Sequence, residues 1–308
     1  MGLTFPSPIG LAGGFDKNAM RPRALAALGF GHLELGTVTA LPQNANPRPN
    51  LFRCPEDHAL INRLGFPNDG AARVAARLLR ARPKLGTPVG LSIGKSRAVP
   101  VSDLDAVIAD YVAAFDAVRS VADFVVINIS SPNTAGLRSM QSQEHARSLL
   151  GALTQRPGRR PPLLVKIAPD LDDAELEALL EVVEQTRLDG VVATNTTTSR
   201  PTHLATSSQR IASIGSGGLS GPPLRARALS IVRRVRARLG RDAVVVGVGG
   251  IETPNDAIAY VRAGANLVQM YTGFIYQGPL AASRIARGFA DALEREQVRS
   301  VSELVSTE

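Results

Sequence analysis

Residues 243–251 read Ala-Val-Val-Val-Gly-Val-Gly-Gly-Ile, an apolar run that ends in two consecutive glycines. A strand that is apolar at every position is typical of a parallel sheet whose two faces are both covered by helices. Residues 254–263 follow it with the spacing of an amphipathic helix. The segment therefore predicts a β/α unit, and similar units precede it along the chain.

Eight strand–helix pairs can be assigned in this way. The predicted strands cover residues 9–13, 33–38, 89–93, 124–129, 163–167, 190–194, 243–247 and 267–271. The predicted helices cover residues 21–28, 70–82, 103–118, 144–154, 172–186, 224–239, 254–263 and 281–294. Eight pairs in about 250–300 residues favour a (β/α)8 TIM barrel.

A doubly wound sheet is the alternative architecture. Its nucleotide-binding form has G-x-G-x-x-G after the first strand, and Gly10, Gly13 and Gly14 do not have that spacing. No linker or internal repeat divides the chain, so we expect residues 1–308 to form one catalytic domain. Residues 41–68 are rich in Pro and Asn and are too long for an ordinary β/α loop, which indicates a functional loop.

Composition excludes several classes of protein. The 308 residues are 44% hydrophobic and 20% charged, as in an ordinary globular chain. Cys54 is the single cysteine, which excludes a disulfide framework and a cysteine-based metal site within one chain. We see no secretory signal and no apolar stretch of the roughly 18 residues that a membrane span needs. The net charge of +8 is concentrated in residues 225–241, whose helical spacing indicates a solvated helix face rather than a nucleic-acid surface.

The basic residues are unevenly divided, with four lysines and 31 arginines. Where arginine is the usual cation, a lysine indicates a place where the larger, planar guanidinium does not fit. Lys166 lies within a predicted buried strand, where an ammonium is costly unless it meets an anion or an electron-rich acceptor. A flavin needs such a cation beside its N1/C2-carbonyl edge. Lys17 follows the first strand and suits a second anionic group, Lys95 lies in a Gly-Lys-Ser turn, and Lys84 has no evident role.

The predicted strand ends carry lysines, amides and hydroxyls instead of histidines or paired carboxylates. This set lacks the ligands for a transition metal and the two acids of a glycosidase. The four histidines occupy no triad-like setting. Four asparagines are expected to converge, and their carboxamides suit a flat heterocycle edged with N–H and C=O groups, such as a pyrimidine. They are Asn62, Asn128, Asn133 and Asn195.

Glycines cluster near the last predicted strands, in residues 217–221, 247–251 and 271–273. Late barrel loops and a short helix N-terminus commonly form the phosphate site of a TIM barrel. The alternative is that the glycines only make tight turns. Their common position near the last strands favours a phosphate-bearing cofactor.

With these motifs the chain resembles the dihydroorotate dehydrogenases, and the quinone-linked class 2 in particular. Ten ordered segments carry the resemblance, which spans nearly the whole chain: residues 10–18, 34–39, 46–53, 61–66, 128–138, 165–170, 193–197, 217–221, 247–251 and 271–279. The class 2 pattern has serine as the base, and Ser131 matches it. Class 1 members carry a cysteine there, whereas Cys54 lies outside this motif.

The resemblance implies an FMN enzyme that oxidises dihydroorotate to orotate in pyrimidine biosynthesis and passes the electrons to a quinone. Ser131 would take a proton from C5 of the substrate, through a water or Thr134, while a hydride leaves C6 for flavin N5. The implied FMN contacts are Ala12, Gly13, Thr37, Ser92, Asn128, Lys166, Thr194, Gly221, Gly250, Tyr271 and Thr272. The implied orotate contacts are Lys17, Asn62, Arg63, Leu64, Gly65, Phe66, Asn128, Asn133, Asn195 and Thr196. Neither a metal nor a nucleic acid is implied.

The chain departs from the family pattern at four places. Ser92 and Pro67 stand where asparagines are common, and Pro222 replaces a basic residue. Class 2 enzymes also carry an N-terminal helical segment that docks on the membrane, and the chain is expected to lack it. Arg53 and Tyr271 match residues of the quinone tunnel. Peripheral contact with the cytoplasmic side of a membrane is therefore implied.

Other interpretations stay open from the sequence. One is a class 1-like dehydrogenase that uses fumarate or NAD, which Ser131 disfavours and the missing segment favours. Another is a tRNA dihydrouridine synthase, although its basic RNA-binding extension is not seen. The last is a catalytically silent flavin-binding protein, which the joint presence of Lys17, Ser131 and Asn133 disfavours.

Overall fold

Eight buried apolar strands close into a parallel barrel in a computed structural model that describes residues 1–134 and 136–305. The described residues contain eleven strands in all, of which β3, β4 and β9 lie outside the barrel. In chain order they are β1 (Ile9–Leu11), β2 (His32–Val38), β3 (Leu51–Cys54), β4 (Ala59–Asn62), β5 (Val89–Ile93), β6 (Phe124–Asn128), β7 (Leu163–Ile167), β8 (Gly190–Ala193), β9 (Gly218–Ser220), β10 (Val244–Val248) and β11 (Leu267–Met270). The order around the barrel is β1-β11-β10-β8-β7-β6-β5-β2. The predicted TIM barrel is confirmed, and the doubly wound alternative is wrong because the sheet closes.

Helices follow the barrel strands at the eight predicted places, with ends shifted by one residue at most. The helices are α1 (Pro22–Ala27), α2 (Ala71–Ala81), α3 (Leu104–Val118), α4 (Gln143–Thr154), α5 (Asp173–Gln185), α6 (Ser208–Ile214), α7 (Arg225–Leu239), α8 (Pro254–Arg262), α9 (Thr272–Gln277), α10 (Ala281–Arg295) and α11 (Val301–Leu304). The short helices α6, α9 and α11 were not predicted, because segments of four to seven residues are too short to show a helical hydrophobic period. Residue 135 of the predicted 128–138 motif and the last three residues of the predicted domain lie outside the described residues.

A second, three-stranded antiparallel sheet lies outside the barrel, in the order β3-β4-β9. The hairpin of β3 and β4 occupies residues 51–62, inside the stretch predicted as a long loop, so that prediction is wrong in part. The third strand of this sheet, β9, lies in the glycine segment 217–221, where Ser220 pairs with Leu60 of β4. Short-range patterns do not reveal a strand whose partner lies 160 residues away.

The arginine-rich helix α7 is an amphipathic helix on the outside of the barrel. Its apolar residues Ala228, Ile231, Val232 and Val235 are buried. On its other side Arg234 and Arg238 form ion pairs with acidic residues of α5, namely Asp173, Glu177 and Glu184. The pairing supports the interpretation of this segment as a solvated helix face.

Three residues that directly precede strands brace the amino-terminal end of the barrel. Asp123, Asp189 and Asn266 each accept a hydrogen bond from the backbone N–H of the neighbouring strand, at 2.8 Å in every case. Each also accepts from an arginine, which is Arg82, Arg160 or Arg236 respectively. We call these three residues the amino-terminal rim. They tie β6 to β5, β8 to β7 and β11 to β10.

Below the carboxyl-terminal half of the barrel, the interior is filled by apolar side chains. Phe124, Val126, Leu164 and Leu267 pack together there, with Phe5 against them. Within the described residues, no helix is long and apolar enough to cross a membrane.

Candidate active site

A cavity of about 1010 Å³, including its open mouth, lies at the carboxyl-terminal end of the barrel. All but two of the predicted ligand residues line it: Ala12, Gly13, Lys17, Thr37, Asn62, Leu64, Gly65, Phe66, Asn128, Ser131, Asn133, Lys166, Thr194, Asn195, Thr196, Gly221, Gly250, Tyr271 and Thr272. These residues lie on strands and in the loops that follow strands, and they are spread over 261 residues of sequence, from Ala12 to Thr272. The barrel brings them together because parallel strands all end at the same face.

The two exceptions are Ser92 and Arg63. Ser92 lies behind the cavity wall, where its hydroxyl is 2.9 Å from that of Thr37. The guanidinium of Arg63 turns away, donates to the carbonyls of Ile214 and Ser216, and lies over the ring of Phe52. Any contact of either side chain with a ligand in the cavity is therefore indirect.

The four asparagines line one cavity, and within it they form two hydrogen-bonded groups. In the deep group, Asn195 Nδ2 donates to Asn128 Oδ1 at 3.3 Å, and Asn128 Nδ2 donates to Thr37 Oγ1 at 2.9 Å. In the outer group, Asn133 Nδ2 donates to Asn62 Oδ1 at 3.0 Å. Both groups present amides to the cavity, which suits a ligand with alternating donors and acceptors.

Ser131 is buried in the loop after β6, on the wall of the cavity. Its Oγ accepts a hydrogen bond from the backbone N–H of Asn133 at 3.3 Å. Among the described residues, neither a histidine nor a carboxylate donates to or accepts from this hydroxyl. The predicted route through Thr134 has no hydrogen bond to Ser131 in the described part of the chain.

Lys17 follows β1 and lines the cavity with its Nζ donating to the carbonyl of Gly14. Burial lowers the pKa of Lys17 to about 8, because an ammonium is poorly solvated there, and the neighbouring Asp16 opposes the shift. An anionic ligand beside Lys17 would stabilise its ammonium by charge attraction.

Lys166 lies in the floor of the cavity, in register with Asn128 of β6. Its Nζ is 3.4 Å from Oε1 of Glu34, a fully buried residue of β2. Lys95, in contrast, lies outside the cavity, and its ammonium donates to the carbonyls of Ser96 and Val99. Of the four lysines, Lys17 and Lys166 therefore line the cavity.

Glycines form the part of the wall between β9, β10 and α9. Gly250 has φ +67°, and a Cβ on it would lie 2.8 Å from the carbonyl oxygen of Gly221. A Cβ on Gly273 would lie 2.2 Å from the carbonyl oxygen of Ile251. The side chains absent here leave backbone close to the cavity, and Thr272 adds a hydroxyl 2.8 Å from that of Ser220.

Two buried polar residues were not assigned a role from the sequence. Gln269 of β11 lines the cavity floor, and neither atom of its carboxamide has a hydrogen-bond partner. Glu34 has one unpartnered oxygen, Oε2. A lone polar residue in an apolar strand was the signal that identified Lys166, and the same signal is present at both positions.

The histidines and the cysteine lie outside the cavity lining. His32 is buried among Phe5 and Phe124, where burial lowers its pKa to about 3, so it is neutral. His58 stacks on Tyr276 with ring centroids 5.1 Å apart. Cys54 is buried in the outer sheet. Among the described residues, no cluster of three His, Cys, Asp or Glu side chains could hold a metal ion.

Comparison with known proteins gives one consistent family. A family model described as dihydroorotate dehydrogenase matches residues 1–293. A "Dihydroorotate dehydrogenase (quinone)" from Thermobifida fusca is 51% identical over 313 residues, which cover 100% of this chain and 82% of that protein. One of the same name from Nocardioides sp. is 52% identical over 304 residues, covering 94% of this chain and 84% of that protein. The crystal structure of ligand-free DHODH from Eimeria tenella superposes with a TM-score of 0.91 at 38% identity, covering 99% of this chain and 89% of that one.

Proposed function

The chain belongs to the dihydroorotate dehydrogenase family, and from this premise we propose that it oxidises dihydroorotate to orotate with bound FMN and passes the electrons to a quinone. Enzymes of this family are flavin-dependent. The observation that carries the proposal is the cavity itself, which joins Lys166, the glycine wall, the asparagines and Ser131 at one end of the barrel. In this interpretation the whole chain serves as one catalytic domain.

The cavity fits a flavin mononucleotide by the chemistry of its wall. Lys166 and Gln269 supply a cation and an unpartnered amide at the floor, where the polar edge of an isoalloxazine would find both. Gly221 and Gly250 line the cavity with backbone that a phosphate can approach. A Cβ on Gly250 would collide with the carbonyl oxygen of Gly221 and push these two segments apart. Ala12, Gly13, Thr37, Asn128, Thr194, Tyr271 and Thr272 complete the proposed FMN contacts, with Ser92 acting through Thr37.

The asparagines and Lys17 are proposed to hold the substrate. Dihydroorotate is a cyclic diamide with a carboxylate, so it offers N–H and C=O groups to carboxamides and a charge to the ammonium of Lys17. Asn62, Asn128, Asn133, Asn195 and Thr196 surround this part of the cavity, together with residues 64–66. The hydroxyl of Thr196 is buried without a partner, and a ligand would satisfy it.

Ser131 is proposed as the base that removes the proton from C5. Serine is a weak base, so its hydroxyl needs a hydrogen-bonded route that carries the proton onward. The N–H of Asn133 fixes the position of Oγ, and the cavity supplies room for a water beside it. A flavin held by Lys166 and the glycine wall would supply the acceptor for the hydride that leaves C6, and the two electrons that pass to the quinone.

An apolar quinone is the proposed acceptor because the cavity mouth carries exposed apolar side chains. Leu51 lines the cavity and is exposed, and Phe15 is exposed beside Tyr271, with ring centroids 5.5 Å apart. Met20, in the same loop region as Phe15, is also exposed. This surface suits an acceptor drawn from the cytoplasmic face of a membrane, so we include peripheral membrane contact in the proposal.

The test is the visible spectrum of the purified protein under anaerobic conditions. We expect a yellow protein that releases FMN on denaturation, bleaches with dihydroorotate and keeps its colour with orotate. The reduced protein should be reoxidised faster by a short-chain quinone than by fumarate or NAD. A yellow protein that does not bleach contradicts the proposal, and faster reoxidation by fumarate or NAD would replace the quinone with a soluble acceptor.

A further inference from the structure

An ion pair crosses the interior of the barrel directly under the cavity. Lys166 on β7 and Glu34 on β2 meet at 3.4 Å, although β5 and β6 separate their strands in the sheet. Glu34 is 0% exposed and Lys166 is 5% exposed. Among the described residues, each is the other's only hydrogen-bonding or ionic side-chain partner.

The position of the carboxylate depends on a glycine in the cavity wall. A Cβ on Gly13 would lie 2.2 Å from Oε1 of Glu34, so any other residue there would displace the carboxylate. Gly13 itself lines the cavity, next to Ala12. The carboxylate of Glu34 therefore lies just behind the cavity wall, whereas Lys166 lines the cavity itself.

Glu34 balances the charge of Lys166, although Glu34 does not itself line the cavity. A buried ammonium with no counter-ion would be strongly destabilised, and Glu34 relieves this cost. Its carboxylate also weakens the positive potential that Lys166 projects into the cavity, because charges interact strongly in a poorly solvated interior. Glu34 Oε2, having no partner of its own, leaves this negative charge undiminished by further hydrogen bonds.

We propose that Glu34 is a positioning residue which, through Lys166, sets the reduction potential of the bound flavin. This inference rests on the proposed binding of FMN. Reduction builds negative charge at the flavin edge that a cation stabilises. Glu34 opposes that stabilisation and keeps the reduced cofactor a stronger electron donor toward its acceptor.

The experiment compares flavin potentials in the purified holoenzyme and in E34Q, by equilibration with a reference dye. Removing the carboxylate charge should favour the reduced flavin about tenfold at a fixed potential, which is about 30 mV for a two-electron couple. K166Q should shift the equilibrium the other way. Because the effect of Glu34 is proposed to act through Lys166, adding E34Q to K166Q should change the potential little, and the two effects are not additive.

H32Q is the matched control, because His32 is the preceding inward-facing residue of β2, is equally buried and has no ionic partner. It should leave the potential unchanged. E34D provides a second variant that keeps the charge on a shorter side chain, and its shift should be smaller than that of E34Q.

An unchanged or lowered potential in E34Q, or an additive effect in the double variant, overturns the inference. Loss of flavin from both E34Q and E34D would also overturn it, by giving Glu34 a structural role. A native protein that binds no flavin would instead refute the proposed function.

Discussion

The two ends of the barrel use different cations for different purposes. At the amino-terminal rim, Arg82, Arg160 and Arg236 donate to Asp123, Asp189 and Asn266, which also accept strand N–H groups. At the carboxyl-terminal end, Lys17 and Lys166 line a cavity. A guanidinium has five donors in a planar fork and suits fixed multidentate contacts, whereas an ammonium is a compact charge.

The comparison also separates satisfied from unsatisfied polar groups. At the rim each acceptor oxygen serves a strand and an arginine together, so this end is braced in the absence of any ligand. Around the cavity, Gln269, Thr196 and Glu34 keep buried polar atoms without partners. Unpaired buried polar atoms are costly, so those of Gln269 and Thr196, which line the cavity, favour a ligand there. The ring nitrogens of His32, lower in the barrel, are also without partners.

The largest expected effect is at the cavity end, in S131A. Without the hydroxyl, the proton at C5 has no local acceptor, and we expect flavin reduction by dihydroorotate to slow by about 10²–10⁴-fold. Anaerobic stopped-flow absorbance measures this rate, and the bound flavin should be retained. S139A is the control, since Ser139 lies outside the cavity and donates to the carbonyl of Gly136. Fast reduction in S131A would remove Ser131 from the mechanism.

The next effect is at the rim, in R236M. Arg236 is buried and donates to the carbonyls of Gly264, Gly240 and Ala243 as well as to Asn266. Leaving these acceptors unpaired should lower the free energy of unfolding by about 3 kcal/mol, measured by urea denaturation. The flavin spectrum of the folded fraction should not change.

Arg238, two residues further along α7, is the matched control for R236M. Its ion pairs with Glu177 and Glu184 are at the surface, so R238M should cost less than about 1 kcal/mol. Equal losses in the two variants would contradict the distinction between a bracing arginine and a solvated one.

A smaller effect is expected from the titration of Lys17. Because burial lowers its pKa to about 8, the ammonium is present below that pH and is lost above it. Orotate binding, followed by the change in the flavin spectrum, should be constant from pH 6.5 to 7.5 and weaken as the pH rises through 8. At high pH the orotate affinity of the native protein should approach that of K17M. We expect K17M to bind orotate about 10–100-fold more weakly than the native protein at neutral pH, with no such pH dependence.

Lys84 offers the control for K17M because it is exposed and outside the cavity. K84M should bind orotate like the native protein at every pH. A pH profile that is the same in the native protein and in K17M would show that Lys17 does not bind the carboxylate.

The smallest effect concerns the choice of cation at the rim, in R82K. Both terminal nitrogens of Arg82 contact Asp123, and a lysine cannot reproduce that fork. We expect a loss of about 1 kcal/mol in unfolding free energy near neutral pH. R80K, at an exposed position of α2, should have no measurable effect.

The pH dependence of the R82K effect has a defined sign. Burial alone would raise the pKa of Asp123, but the guanidinium of Arg82 and the N–H of Val89 hold it below its ordinary value. The stabilisation is therefore present near neutral pH and is lost as the pH falls and Asp123 is protonated. An effect of R82K that grows in acid would contradict this pairing.

Much of the site could be predicted because TIM-barrel strands end at a common face. Once residues 163–167 are recognised as a buried strand, Lys166 must either bind a ligand or bear the free-energy cost of a buried ammonium. Asn128 and Asn195 are then predicted beside it, because they lie at the ends of the neighbouring strands. Arg63 and Ser92 show where this reasoning ends. Both belong to matching motifs, but their side chains are directed by Ile214, Ser216 and Thr37, which local sequence does not place beside them.

The sequence by itself determined the barrel, since apolar strands alternate with amphipathic helices, and it identified the polar residues that follow those strands. Only the tertiary structure decided three other features. It joined β9 to the hairpin of residues 51–62, set Glu34 against Lys166 across the barrel, and turned the rim arginines toward residues that precede strands. Periodicity reports which face of an element is buried, whereas these contacts depend on closure of the sheet, which brings distant residues within reach.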